Sequence, residues 1–146
     1  MKNKIIGLGK VGCGIATEFE EYPEYRVYKI GTDLESRGNF HTHLVIEKQE
    51  SIQDYEEKFD SIDAEAYLET IKPTDEVLFV VEGGDPVSGV ILSLLEKIKN
   101  TRISILYVCP DPDVSSLVQM RDSKIVFNIF FIPCPRFVHH TYNRKF

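Results

Sequence analysis

Lys4-Ile5-Ile6-Gly7-Leu8-Gly9-Lys10-Val11-Gly12-Cys13-Gly14 opens as an apolar run and breaks into glycines. Lys4–Leu8 reads as a short buried strand. Helical character follows over Ile15–Glu21, and Pro23 stops it. Gly7, Gly9 and Gly12 have the G-x-G-x-x-G spacing of a dinucleotide-binding turn. One glycine permits a tight turn. One lets backbone N–H groups approach a phosphate. One lets the helix lie close to the sheet. A helix N-terminus adds unsatisfied donors and a partial positive charge that favour an anion. Gly7, Gly9, Lys10, Gly12 and Cys13 are therefore candidate phosphate-binding residues. Asp33 follows about twenty residues later, where an acid would hold ribose hydroxyls.

Strand and helix signals alternate outward from this turn. Arg26–Ile30 alternates and is bounded by Gly31, giving a second strand, and Leu44–Ile46 is a candidate third. Ser51 and Asp54 resemble a capping box for a charged helix to Phe59. A shorter helix is predicted over Ala64–Ile71, ended by Pro73. Val77–Val81 is fully apolar, as expected for a parallel strand covered on both faces. The helix after it carries Val90, Ile91, Leu94, Leu95 and Ile98 on one stripe. Ile103–Val108 reads as a strand, Val114–Met120 as a helix and Ile125–Ile132 as a strand. Repeated strand–helix–strand order predicts an α/β fold with a three-layer, Rossmann-like, doubly wound and mostly parallel sheet. Residues 1–132 form the expected nucleotide-binding domain. Residues 133–146 lack either periodicity and are expected to be an irregular tail or a partner-binding arm.

A second glycine cluster, Glu82-Gly83-Gly84-Asp85-Pro86-Val87-Ser88-Gly89, lies between the most apolar strand and the best amphipathic helix. Its amides also face a helix start, so the two loops are expected to hold one phosphate chain from two sides. Gly83, Gly84, Ser88 and Gly89 are the candidates for the terminal phosphates. Ser88 is also a candidate cap. Asp85 could organise a metal ion or water, but would repel a phosphate placed against it. Neither loop has the G-x-x-x-x-G-K-[ST] spacing of a Walker-type P-loop.

The chain has 146 residues, 42% hydrophobic and 27% charged, which suits one globular domain and argues against disorder. A net charge of −6 weighs against nucleic acid as a partner. No apolar run reaches the ~20 residues of a membrane span, and no secretory signal is evident. Three widely spaced cysteines make no disulfide framework and fit a reducing, cytoplasmic setting. The acidic stretch Asp54–Lys58 reads as a solvated helix face. His41 and His43 lack a third ligand nearby, and Cys13 and Cys109 read as small buried hydrophobes; no metal site is expected.

The order and spacing resemble the tubulin/FtsZ family over about residues 2–115. Gly9, Gly12, Ile15 and Phe19 agree with the tubulin opening G-Q-x-G-x-Q-I-G-x-x-F-W, with Ala16 in place of a glycine. Thr32-Asp33-Leu34-Glu35 is similar to the N-T-D-x-x segment of FtsZ. Gly83–Gly89 stands where the family carries G-G-G-T-G-[ST]-G; Gly83, Gly84, Ser88 and Gly89 agree, and Asp85, Pro86 and Val87 depart. Cys109–Asp113 falls where the family has a loop near the nucleotide sugar, which places Asp111 with Asp33 at the ribose or metal edge. The resemblance implies GTP/GDP binding, with Mg²⁺, in a domain that stacks head to tail into homo-oligomers or filaments. In the family, water is activated by carboxylates beyond a long central helix. The expectation for this chain is nucleotide binding with little or no GTPase activity of its own. Two alternatives stay open. The first half also resembles the NAD-binding regulatory modules of potassium uptake systems, with Asp33 on the adenosine ribose. A non-binding scaffold that acts through protein contacts would keep the same fold.

Overall fold

The computed structural model describes residues 3–32, 42–62, 64–98, 101–109, 116–121 and 137–143. Six strands form one parallel sheet: β1 (Asn3–Leu8), β2 (Tyr25–Gly31), β3 (His43–Val45), β4 (Glu76–Glu82), β5 (Arg102–Cys109) and β6 (Phe137–Asn143). Their spatial order is β3-β2-β1-β4-β5-β6, with every neighbouring pair parallel. Helix α1 (Gly9–Thr17) covers one face; α2 (Ile52–Asp60), α3 (Glu65–Leu68) and α4 (Val90–Lys97) belong to the other. This is the doubly wound, Rossmann-like arrangement the alternating elements predict.

Strand alternation divides the core. Ile6, Leu8, Phe79, Val81, Ile105 and Tyr107 pack toward α2 and α4, with Phe59, Tyr67 and Leu94 among the helix contributions. Ile5 and Val80 point the other way, onto Ala16 of α1. Full burial of such side chains stabilises the fold by roughly 1.5–3 kcal/mol each before entropy is counted. The stripe read on the α4 segment is buried at Val90, Ile91, Leu94 and Ile98, with Leu95 packed at its margin. Ser51 caps α2 by accepting the Asp54 N–H at 3.1 Å.

Two elements differ from expectation. The first helix starts at Gly9, six residues before the predicted Ile15, and ends in a 3₁₀ turn over Glu18–Glu21. Glycines are poor helix formers, but here their missing side chains allow contact with the sheet. A Cβ on Gly12 would overlap the Val80 carbonyl oxygen, and one on Gly7 the Gly12 carbonyl oxygen. Tertiary packing overrides propensity. Second, β6 lies in the segment read as irregular, running Phe137–Asn143 beside Ile103–Cys109. A parallel edge strand is held by backbone hydrogen bonds to its neighbour, so it needs no side-chain alternation of its own. A short helical segment occupies 117–121, overlapping the helix predicted over Val114–Met120, and the strand expected over Ile125–Ile132 lies outside the described residues.

The opposite end of the sheet is closed by a buried ion pair. Lys4 Nζ lies 3.2 Å from Asp75 Oδ2 and donates to the Thr70 carbonyl at 2.6 Å. No helix among the described residues is long and apolar enough to cross a membrane.

Candidate functional site

β1 and β4 are adjacent, yet their chains leave toward opposite edges of the sheet. Ligands of open α/β sheets bind at such a switch point, outside the carboxyl ends of the strands. Both glycine loops leave β1 and β4 on this rim. A cavity of about 530 Å³ opens beside them, within the ~300–1,000 Å³ range of small-molecule sites. Gly9, Lys10 and Cys13 contribute from α1, Gly31 and Thr32 from the end of β2, and Lys48 and Gln49 from the loop after β3. Tyr55 of α2 and Asp85–Val87 complete it. A shallower groove of about 370 Å³ lies over the amino-terminal halves of β1, β4 and β5, away from both loops.

Gly9 makes the turn from β1 into α1 with φ +74°, a conformation that side chains disfavour. The Asp85 carboxylate lies directly over it. A Cβ on Gly9 would overlap Asp85 Oδ2 and crowd Val87 Cγ1. Asp85 Oδ1 accepts the Val87 N–H at 3.0 Å, and the Lys10 N–H is near enough to favour the charged carboxylate. Asp85 thus caps the 3₁₀ turn Pro86–Gly89, and its carboxylate stands against the turn into α1. Burial pushes its carboxyl above the ordinary range, against the pull of the two N–H groups.

The second loop spends its donors internally. Gly83 N–H donates to the Val108 carbonyl at 3.1 Å, extending the β4–β5 ladder. Asp85 N–H donates to Glu82, and Ser88 gives both its N–H and its hydroxyl to the Asp85 carbonyl, the hydroxyl at 2.7 Å. Ser88 is therefore not the cap; Asp85 is, because its shorter path to the Val87 N–H suits the 3₁₀ turn. Gly89 meets the backbone of α2, where a Cβ would overlap the Ile52 carbonyl oxygen. Gly83 and Gly84 are buried in the turn. Of the residues singled out in the sequence, Gly9, Lys10, Cys13 and Asp85 line the cavity. Gly7, Gly12, Ser88 and Gly89 support it through packing and turn hydrogen bonds. Asp33 and Asp111 lie outside the described residues.

The Cys13 thiol donates to the carbonyls of Gly7 and Ile30, at 3.3 and 3.4 Å. Burial pushes its pKa up to about 11, so it is a poor nucleophile near neutral pH. The Tyr67 hydroxyl is buried with no hydrogen-bond partner among the described residues, and burial raises its pKa well above the usual value.

Lys48, Gln49 and Tyr55 have no counterpart in the sequence motifs. Tyr55 sits in the acidic run read as a solvated face, yet it is 4% exposed and turned inward. Its place in the capped helix, three residues after Ile52 and four before Phe59, is the signal that marks an inward position. Lys48 and Gln49 are legible only through the rule that loops after parallel strands line the site. Among the described residues no group of three or more His, Cys, Asp or Glu side chains could hold a metal ion.

The class is thus an α/β domain with a pocket at the switch point of its parallel sheet. Its fold is tubulin/FtsZ-like: CetZ from Methanosaeta thermophila strain DSM 6194 superposes with a TM-score of 0.69 over 95% of this chain at 12% identity. The chain spans 45% of that protein. No protein-family model matches the sequence, and no curated protein matches it.

Proposed function

We propose that this chain is a nucleotide-binding domain taking GTP or GDP, with Mg²⁺ carried on the phosphates, and that it self-associates through the same fold. The observation that carries the reading is the cavity at the β1–β4 switch point, bounded by Gly9 and Lys10 at the start of α1. Lys10 and Lys48 offer ammonium groups to an anion, and the Tyr55 ring lines the wall. The resemblance of the glycine loops to the tubulin/FtsZ family favours guanine over other bases. The role proposed is binding; hydrolysis is no part of the proposal. NAD is the competing ligand, favoured by the Gly7, Gly9 and Gly12 spacing and by the strand order.

Titration calorimetry with GTP, GDP, ATP and NAD separates these readings. Guanine nucleotides are expected to bind and to raise the unfolding midpoint with concentration. Saturation by NAD alone would move the assignment to a dinucleotide module. Absence of binding by any of the four at millimolar concentration would leave a scaffold.

A further inference from the structure

Asp85 is a short acid placed where a ligand's anion is expected. Its carboxylate lies over the side-chain-free face of Gly9 and accepts the Val87 N–H, with the Lys10 N–H close enough to favour its charge. A phosphate docked on the start of α1 would seek the same donors. Two anions cannot share them at contact distance without strong repulsion in a partly buried site. Three other amides of the loop are already engaged, Gly83 to Val108, Asp85 to Glu82 and Ser88 to Asp85 itself. Lys10 and Lys48 are the basic residues lining the cavity an incoming anion would enter. We propose that Asp85 is an internal anion that occupies the phosphate seat of this pocket, so that a phosphate-bearing ligand binds only by displacing its carboxylate, and Asp85 thereby sets which ligand charge the site accepts.

This inference rests on the nucleotide reading for the identity of the ligand, but not for the contest over the seat. The displacement is local. Turning the Asp85 side chain away from Gly9 frees the Lys10 N–H and leaves the Pro86–Gly89 turn held by its backbone bonds and the Ser88 hydroxyl. A ligand without phosphate, such as a nucleoside, would enter the cavity beside Tyr55 with the carboxylate in place.

The test uses the full chain and two variants. Asp85→Asn removes the charge and keeps an acceptor. Asp85→Ser keeps a short capping oxygen for the Val87 N–H. Binding of inorganic pyrophosphate, GDP and guanosine is measured by calorimetry on each protein after circular dichroism confirms folding. Removing the charge is expected to tighten pyrophosphate and GDP by roughly tenfold or more, and to leave guanosine within about twofold. Pyrophosphate affinity unchanged or weakened in both folded variants overturns the proposal, whatever the nucleosides do. Tightened pyrophosphate with no binding of GDP or guanosine by any protein supports the anion contest and defeats the nucleotide reading. GDP bound equally by all three proteins defeats the contest and leaves the nucleotide reading standing.

Discussion

Gly9→Ala probes the contact between the two glycine loops directly. The native φ of +74° costs an alanine about 1–2 kcal/mol. The new Cβ also overlaps Asp85 Oδ2, so the carboxylate must leave its place. It then loses two backbone N–H donors, from Val87 and Lys10. Hydrogen bonds to a charged acceptor contribute about 1.5–3 kcal/mol each, but this carboxylate recovers hydration as it moves out, which offsets part of the loss. The single variant is therefore expected to lose about 2–4 kcal/mol. In an Asp85→Ala background the backbone cost, about 1–2 kcal/mol, and the crowding of the flexible end of Val87 remain. Urea unfolding of the native chain, both single variants and the double variant gives a complete cycle, with comparable m-values as the internal check. The expected coupling is about 1–2 kcal/mol in favour of the double variant. Additivity within about 0.5 kcal/mol would refute the placement of Asp85 over Gly9, and with it the argument for an occupied anion seat.

Gly89→Ala is expected to destabilise by about 1–3 kcal/mol in the same assay, because its Cβ meets the Ile52 backbone and pushes α2 from its neighbours. Gly14→Ala is the contrasting control. Nothing lies within 4 Å of its Cβ position on exposed α1, so alanine is expected to gain about 0.5–1 kcal/mol; a loss would contradict the open surface described there. Asp85→Asn is expected to be more stable than the native chain near neutral pH. Burial holds the Asp85 carboxyl above its ordinary 3.8, so the folded chain binds this proton more tightly than the unfolded chain. The desolvated charge destabilises the fold above the folded-state pKa, and the cost vanishes below 3.8, where both states are protonated. Lys10 and Cys13 of α1, Lys48 and Tyr55 share the cavity with this group. Unfolding midpoints followed from about pH 7 to about pH 4 should show the advantage of the variant shrinking as pH falls; a gap that widens would reverse the assigned cause.

Much of this architecture was legible from residue order. Apolar runs at Lys4–Leu8, Val77–Val81 and Ile103–Val108 are too uniformly hydrophobic for a half-exposed sheet, and the intervening helices leave only parallel crossovers. Both glycine clusters mark real strand-to-helix turns on one rim. The first one also holds a glycine at positive φ and two glycines at backbone contacts with the sheet and the helix.

The roles within those turns needed the third dimension. A motif gives spacing along the chain, but whether an amide is free depends on what lies opposite it. Gly83 is committed to Val108, Ser88 to Asp85, and Gly89 to α2, none of which a local pattern contains. The strand Phe137–Asn143 escaped notice for the same reason, since its partner is the β5 backbone. Alternation of apolar runs and breakers, set by side-chain hydrophobicity, determined the layered sheet and the position of its loops. Only the packed chain decided that the carboxylate of Asp85 reaches the start of α1, because that contact joins residues 9 and 85 across neighbouring strands.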